Sequence, residues 1–79
     1  MKIMITGGAG FIGSHLCDEF VRTNNQVIVI TRSTTSLDRI SHLKDKITLE
    51  RADVTDYDDL GRIIAKHSPE VIIHLAGET

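Results

Sequence analysis

The sequence predicts an α/β fold: a parallel four-stranded sheet in the spatial order 3-2-1-4, with helices on both faces. Three observations predict it. Four short apolar runs, at 2–6, 26–31, 47–51 and 71–75, alternate with stretches of helical periodicity. Most of these runs are near-continuous in apolar residues, which is the pattern of strands covered on both sides. The first strand then breaks into a glycine-rich turn, Gly7-Gly8-Ala9-Gly10-Phe11-Ile12-Gly13. A turn of that kind after the first strand, joined to right-handed crossovers, gives the order 3-2-1-4.

Each element has its own justification. Lys2 to Thr6 is the first strand, with Ile3, Met4 and Ile5 as its apolar centre. Phe11 to Thr23 is the first helix; Ile12, Leu16 and Phe20 recur every four residues as its inward stripe, with Phe11 and Cys17 at the border. His15 lies beside that stripe on the helix surface. Asn24-Asn25 ends the helix, because asparagine tolerates the left-handed conformation. Gln26 to Thr31 is the second strand, carried by the β-branched run Val27-Ile28-Val29-Ile30. A polar loop follows, and then Leu37, Ile40 and Leu43 mark a short helix of about two turns. Ile47 to Arg51 is the third strand. Thr55 is the expected N-cap of the next helix, with Asp58 completing a capping box. Leu60, Ile63 and Ile64 form that helix's buried face, and Pro69 stops it. Val71 to Leu75 is the fourth strand.

Composition sets the class. A chain of 79 residues with 41% hydrophobic and 25% charged residues has the make-up of one small globular domain or part of one. A net charge of -2 gives no electrostatic reason to expect nucleic acid or an anionic membrane as partner. Cys17 is the only cysteine, so no internal disulfide or cysteine metal cluster forms within these residues. Its helical spacing makes it a small apolar residue rather than a nucleophile. The residues before the glycines are too few for a signal-peptide core, and no apolar run approaches a transmembrane length. A reducing cytoplasm is the expected location.

The glycines carry the chemistry. Gly7 allows a sharp turn off the strand, Gly10 lets a phosphate approach the backbone, and Gly13 lets the helix pack on the strand; Gly8 offers a second register. Backbone N–H groups from Ala9 to Ile12, including those of Phe11 and Ile12, become donors at the positive end of the helix. With a strand before and a helix after, this turn is expected to hold the pyrophosphate of a dinucleotide. The end of the second strand selects the cofactor: a carboxylate there takes a ribose hydroxyl of NAD, and an arginine accommodates the extra phosphate of NADP. Thr31-Arg32-Ser33 stands there with no acid, which favours NADP, with NAD as the alternative. Arg32 also has a plain reading as a solvated loop arginine. Asp53 and Val54 follow the third strand, where Asp53 can accept from an adenine amino group or merely support the cap at Thr55. His74-Leu75-Ala76-Gly77 ends the fourth strand, where Leu75, Ala76 and Gly77 let the middle of the cofactor cross; His74, between apolar neighbours, is expected in the core. Tyr57 has Gly61 four residues on and is read as structural. His42 and His67 are expected to face solvent.

Thr6-Gly7-Gly8-Ala9-Gly10-Phe11-Ile12-Gly13-Ser14-His15-Leu16 resembles the N-terminus of the extended short-chain dehydrogenase/reductase family. Asp53-Val54-Thr55-Asp56 and Val71-Ile72-Ile73-His74-Leu75-Ala76-Gly77 resemble its next two signatures. The resemblance covers the whole chain and implies a partial Rossmann fold. It further implies an NAD(P)-using nucleotide-sugar epimerase or 4,6-dehydratase whose proton transfers fall to a downstream Tyr-x-x-x-Lys pair with a Ser or Thr. Arg32 together with Arg39-Ile40-Ser41-His42-Leu43 looks like the GDP-mannose 4,6-dehydratases. These 79 residues contain no Tyr-x-x-x-Lys, so they are expected to bind cofactor without catalysing the reaction. A nucleotide sugar is the expected partner of a longer form only. The alternative is a stand-alone nucleotide-binding module that self-associates through the open edge of the fourth strand.

Overall fold

The computed structural model describes residues 1–75. Strand β1 (Lys2–Thr6) leads to helix α1 (Phe11–Arg22), then β2 (Gln26–Thr31), a 3-10 helix (Asp38–Leu43), β3 (Ile47–Arg51), helix α2 (Tyr57–His67) and β4 (Val71–His74). All pairings are parallel, and the sheet order is β3-β2-β1-β4. This is the arrangement the apolar runs and the glycine turn predict.

The period of two along each strand splits the core into two layers. Ile3, Ile5, Val27 and Val29 face α1 and the 3-10 helix, where they meet Cys17, Ile40 and Leu43. Met4, Ile28 and Ile30 face the opposite way, onto Ile63 of α2 and Ala52, with Leu60 and Ile64 packed around them. Burying both faces of β1 and β2 is what their unbroken apolar runs require.

Several local expectations are corrected. The inward face of α1 is rotated: Gly13 and Cys17 are buried, Leu16 and Phe20 only partly, and Ile12 is 60% exposed. The cause lies at Gly13, where a Cβ would stand 2.4 Å from the Gly7 carbonyl oxygen and 2.7 Å from the Gly8 Cα. The helix backbone therefore lies against the turn itself, and small residues occupy the contact. The short helix, Asp38–Leu43, is 3-10 rather than α, in keeping with apolar residues spaced by three from Leu37. Asp56, not Thr55, caps α2: its carboxylate accepts from the Asp59 N–H at 3.2 Å. Thr55 instead donates both its N–H and its hydroxyl to Asp53 Oδ1, at 2.9 and 2.7 Å. His67 does not face solvent; its side chain is 14% exposed and sits 2.5 Å from Glu50 on β3. His42 is at the surface as expected, paired with Asp18. Left-handed Asn24 closes α1, and left-handed Ser68 closes α2 one residue before Pro69.

Candidate functional site

The carboxyl ends of the strands open into a cleft of about 800 Å³. Its floor begins at the turn after β1. Gly7 adopts φ 75°, a left-handed value that glycine takes without steric penalty. Its N–H donates to the Ile30 carbonyl at 3.0 Å, and its own carbonyl accepts from the Gly10 N–H at 3.1 Å. The turn is thus pinned to β2 on one side and folded back on itself on the other. Gly10 then serves as the N-cap of α1 in an extended conformation, with no side chain capping the helix and no acid in its first turn. The positive end of α1 is left to whatever occupies the cleft.

The expected site residues divide into three groups. Gly7, Gly10, Arg32, Val54 and Leu75 line the cleft together. Ser33 and Asp53 line a smaller cavity of about 230 Å³ that shares Arg32, Thr34 and Ala52 with it. Gly13, Phe11 and Ile12 lie outside the lining: Gly13 seats the helix against the turn, and the Phe11 and Ile12 side chains are exposed. Ala76 and Gly77 lie outside the described residues.

Charge is arranged around the far wall. Hydrogen bonds from the Thr55 hydroxyl and N–H hold the Asp53 carboxyl below its ordinary value, and Arg32 adds to the effect against a small opposing desolvation. Asp53 therefore makes a turn contact to Thr55 ahead of α2, while the cap it was expected to support falls to Asp56. Cys17 is fully buried with its thiol directed at the Gly8 carbonyl, and burial, aided by Asp18, pushes it up to about 11. That thiol is not a nucleophile at neutral pH.

One residue departs from its sequence reading, and two more belong to the site without having been assigned to it. His74 is not in the core: it is exposed, lines the cleft, and places Nδ1 2.7 Å from the Thr6 hydroxyl. The same hydroxyl accepts from the Leu75 N–H at 3.1 Å, so the ends of β1 and β4 are joined at the rim. Tyr57 begins α2 at the surface, 81% exposed, and lines the cleft. Arg51 drew no attention in the sequence, yet its Nη1 donates to the Thr31 hydroxyl and to the carbonyls of Arg32 and Thr35. Its only sequence signal is position: it ends β3 in register with Thr31, the residue before Arg32.

Comparison with known proteins gives the cleft a family. The family model described as GDP-mannose 4,6 dehydratase matches residues 4–79. The chain belongs to that family. Within the GDP-mannose 4,6-dehydratase family's wider circle, the chain is 34% identical to UDP-glucose 4-epimerase of Bacillus subtilis, over 98% of this chain and 24% of that protein. It is 36% identical to dTDP-glucose 4,6-dehydratase 1 of Escherichia coli K12, over 100% of this chain and 23% of that protein. Among solved structures, the enzyme WbmG of Bordetella bronchiseptica in complex with NAD and UDP superposes with a TM-score of 0.84 at 28% identity, over 96% of this chain and 24% of that one. The chain thus spans about a quarter of the length of these relatives. The fold is the Rossmann arrangement they share.

Proposed function

We propose that this chain binds a dinucleotide across the carboxyl ends of its strands, NADP in preference to NAD. In this reading residues 1–79 are the N-terminal cofactor-binding portion of a nucleotide-sugar epimerase or dehydratase. The observation that carries the reading is the uncapped start of α1, held open by left-handed Gly7 and opening into a cleft with Arg32 at its far wall. The fit is specific: Gly13 leaves no room for a Cβ, so the helix end sits as close to the turn as backbone allows.

Each group has a place in the proposal. N–H groups of the Gly7–Gly13 turn, those of Phe11 and Ile12 included, hold the pyrophosphate. Arg32 and Ser33 address the adenosine ribose and its phosphate, and Asp53 with Val54 addresses the adenine. Leu75, with Ala76 and Gly77 after it, lies along the middle of the cofactor. The nicotinamide, when bound, supplies the hydride acceptor. Because Tyr57 is the only tyrosine and Gly61 stands four positions on, these residues alone bind cofactor without turning over a sugar. The relatives' names make a nucleotide sugar the partner of a longer form. The buried free thiol suits a reducing cytoplasm.

Calorimetric titration with NADP and NAD separately tests this. Tighter NADP binding is expected. Tighter NAD binding removes the preference, and absence of both removes the reading. A second reading, a self-assembling module, is favoured by the flank of β4: Val71 is 37% and Ile72 47% exposed, and β4 pairs only with β1 among the described residues. Sedimentation at high concentration decides it, since a folded monomer throughout would exclude assembly.

A further inference from the structure

The five arginines have different neighbours. Arg22 and Arg62 each pair with a carboxylate three residues away, Glu19 and Asp59. Arg39 lies over the Phe11 ring, 5.9 Å from its centroid. Arg32 and Arg51 pair with no carboxylate among the described residues. Yet these two line the same cavity of about 230 Å³, together with Ser33, Thr34 and Asp53.

Their placement follows from the sheet. Thr31 and Arg51 are partners in the β2–β3 register, so the ends of adjacent strands bring Arg51 and Arg32, the residue after Thr31, to the same cavity. Arg51 is held there through one nitrogen, Nη1, which donates to the Thr31 hydroxyl at 3.1 Å, the Arg32 carbonyl at 2.5 Å and the Thr35 carbonyl at 3.1 Å. A guanidinium carries five N–H donors, and those on Nε and Nη2 have no hydrogen-bond acceptor among the described residues. Asp53 is the one acid in the lining, and its Oδ1 is already engaged by Thr55. Two cations, one partly engaged carboxylate and two hydroxyls therefore face a concave space that adjoins the larger cleft. Two cations share one partly engaged carboxylate there, so positive charge is in excess, and an anion with several oxygens relieves the repulsion while accepting from both forks.

We propose that Arg51 and Arg32 form a two-guanidinium site for a phosphate monoester, the 2′-phosphate on the ribose of a bound adenosine, with Arg51 setting the choice between NADP and NAD. This rests on the dinucleotide reading above. Arg51 acts twice: Nη1 fixes the loop that carries Arg32, and its remaining edge meets the phosphate. A lysine offers a point charge in place of that edge and is not equivalent.

The test uses the 79-residue chain and two small probes, adenosine 2′,5′-bisphosphate and 5′-AMP, titrated at one fixed salt concentration. The bisphosphate is expected to bind at least tenfold tighter to the parent chain. In Arg51→Gln, which keeps a donor for the loop carbonyls, the ratio is expected to fall below twofold. Should that variant fail to fold by circular dichroism, Arg51→Lys takes its place, with an expected fall of at least threefold. A parent ratio near one overturns the proposal. So does an unchanged ratio in the variant, or an equal loss of both probes, which reports loop support alone. If 5′-AMP, NAD and NADP all fail to bind a folded parent chain, it is the dinucleotide reading that falls. If 5′-AMP and NAD bind and the bisphosphate gains nothing, only the two-arginine site falls.

Discussion

Replacing Gly13 by alanine isolates how the start of α1 is seated. The added Cβ would lie 2.4 Å from the Gly7 oxygen, 2.7 Å from the Gly8 Cα and 3.0 Å from the Gly8 carbonyl carbon. Comfortable contacts between heavy atoms fall at about 3.5 Å, so something must retreat by roughly 1 Å. No rotamer can absorb that, because every atom met is backbone. The turn is also tied down, by the Gly7 N–H to Ile30 and by the Gly10 N–H to Gly7. The helix must therefore lift, loosening Cys17, Leu16 and Phe20 from the sheet. Overpacking of this kind costs about 2 to 3 kcal/mol. A domain of this length holds roughly 4 to 12 kcal/mol in total, so the loss is large. Urea unfolding followed by far-ultraviolet circular dichroism measures it, with an unchanged slope confirming that the same surface is exposed. Gly10→Ala is the control: Gly10 has φ -75° and ψ -179°, extended backbone open to any residue, yet it lines the cleft. Its stability should change by less than about 1 kcal/mol, within the ordinary range for N-cap changes, while dinucleotide affinity falls. A Gly13→Ala chain within about 0.5 kcal/mol of the parent would refute the close-contact reasoning, since surface substitutions alone stay inside that band.

Two further perturbations probe α2. Gly61 is an exposed glycine in mid-helix with nothing within 4 Å of an added Cβ, so Gly61→Ala should gain about 1 kcal/mol and raise the melting temperature by about 4 to 8 °C. An unchanged or lower melting temperature would contradict the open geometry. Glu50 on β3 takes hydrogen bonds from His67 and Lys66 at the end of α2, and these hold its carboxyl below the ordinary value of 4.5. The folded value is depressed, so its contribution is present above the unfolded value and disappears as pH falls through the folded one. Glu50→Gln should therefore lose about 1 kcal/mol at neutral pH, and its urea midpoint should converge on the parent's below pH 4. Parallel pH profiles for the two chains would show that the contact contributes nothing.

The strands and their order were legible because β1, β2 and β4 carry near-continuous apolar runs and β3 an alternating one. Val27-Ile28-Val29-Ile30 can be buried on both faces only inside a parallel sheet, and a glycine turn after β1 leaves one plausible winding. The helix face was misread for a definite reason: hydrophobic periodicity weights large residues, so Ile12 outweighed Gly13. A helix that touches backbone buries its smallest residues instead. His74 was assigned to the core from its apolar neighbours, but exposure depends on how many strands flank β4. Arg51 was invisible because its acceptors lie 16 to 20 residues away in the chain, at a distance no local pattern reports. At the site, the glycines and Arg32 announced themselves, whereas Asp53 could be placed only by finding Thr55 on its carboxylate.

The hydrogen bonds that tie Thr6 to His74 and Leu75 set the order in which this sheet can be completed. On one flank β1 meets β2, with Ile3 facing Val27, about 24 residues on. On the other flank the contacting residues are 68 and 69 apart. Closing the longer loop costs only about 0.9 kcal/mol more in chain entropy, so the penalty is one of timing rather than stability. During synthesis β1, α1 and β2 can assemble while β4 is still being made. Through that interval β1, an apolar strand destined for burial on both faces, carries an unpaired flank, open to any other nascent strand nearby. The rim bonds between β1 and β4 mark the moment at which that exposure ends.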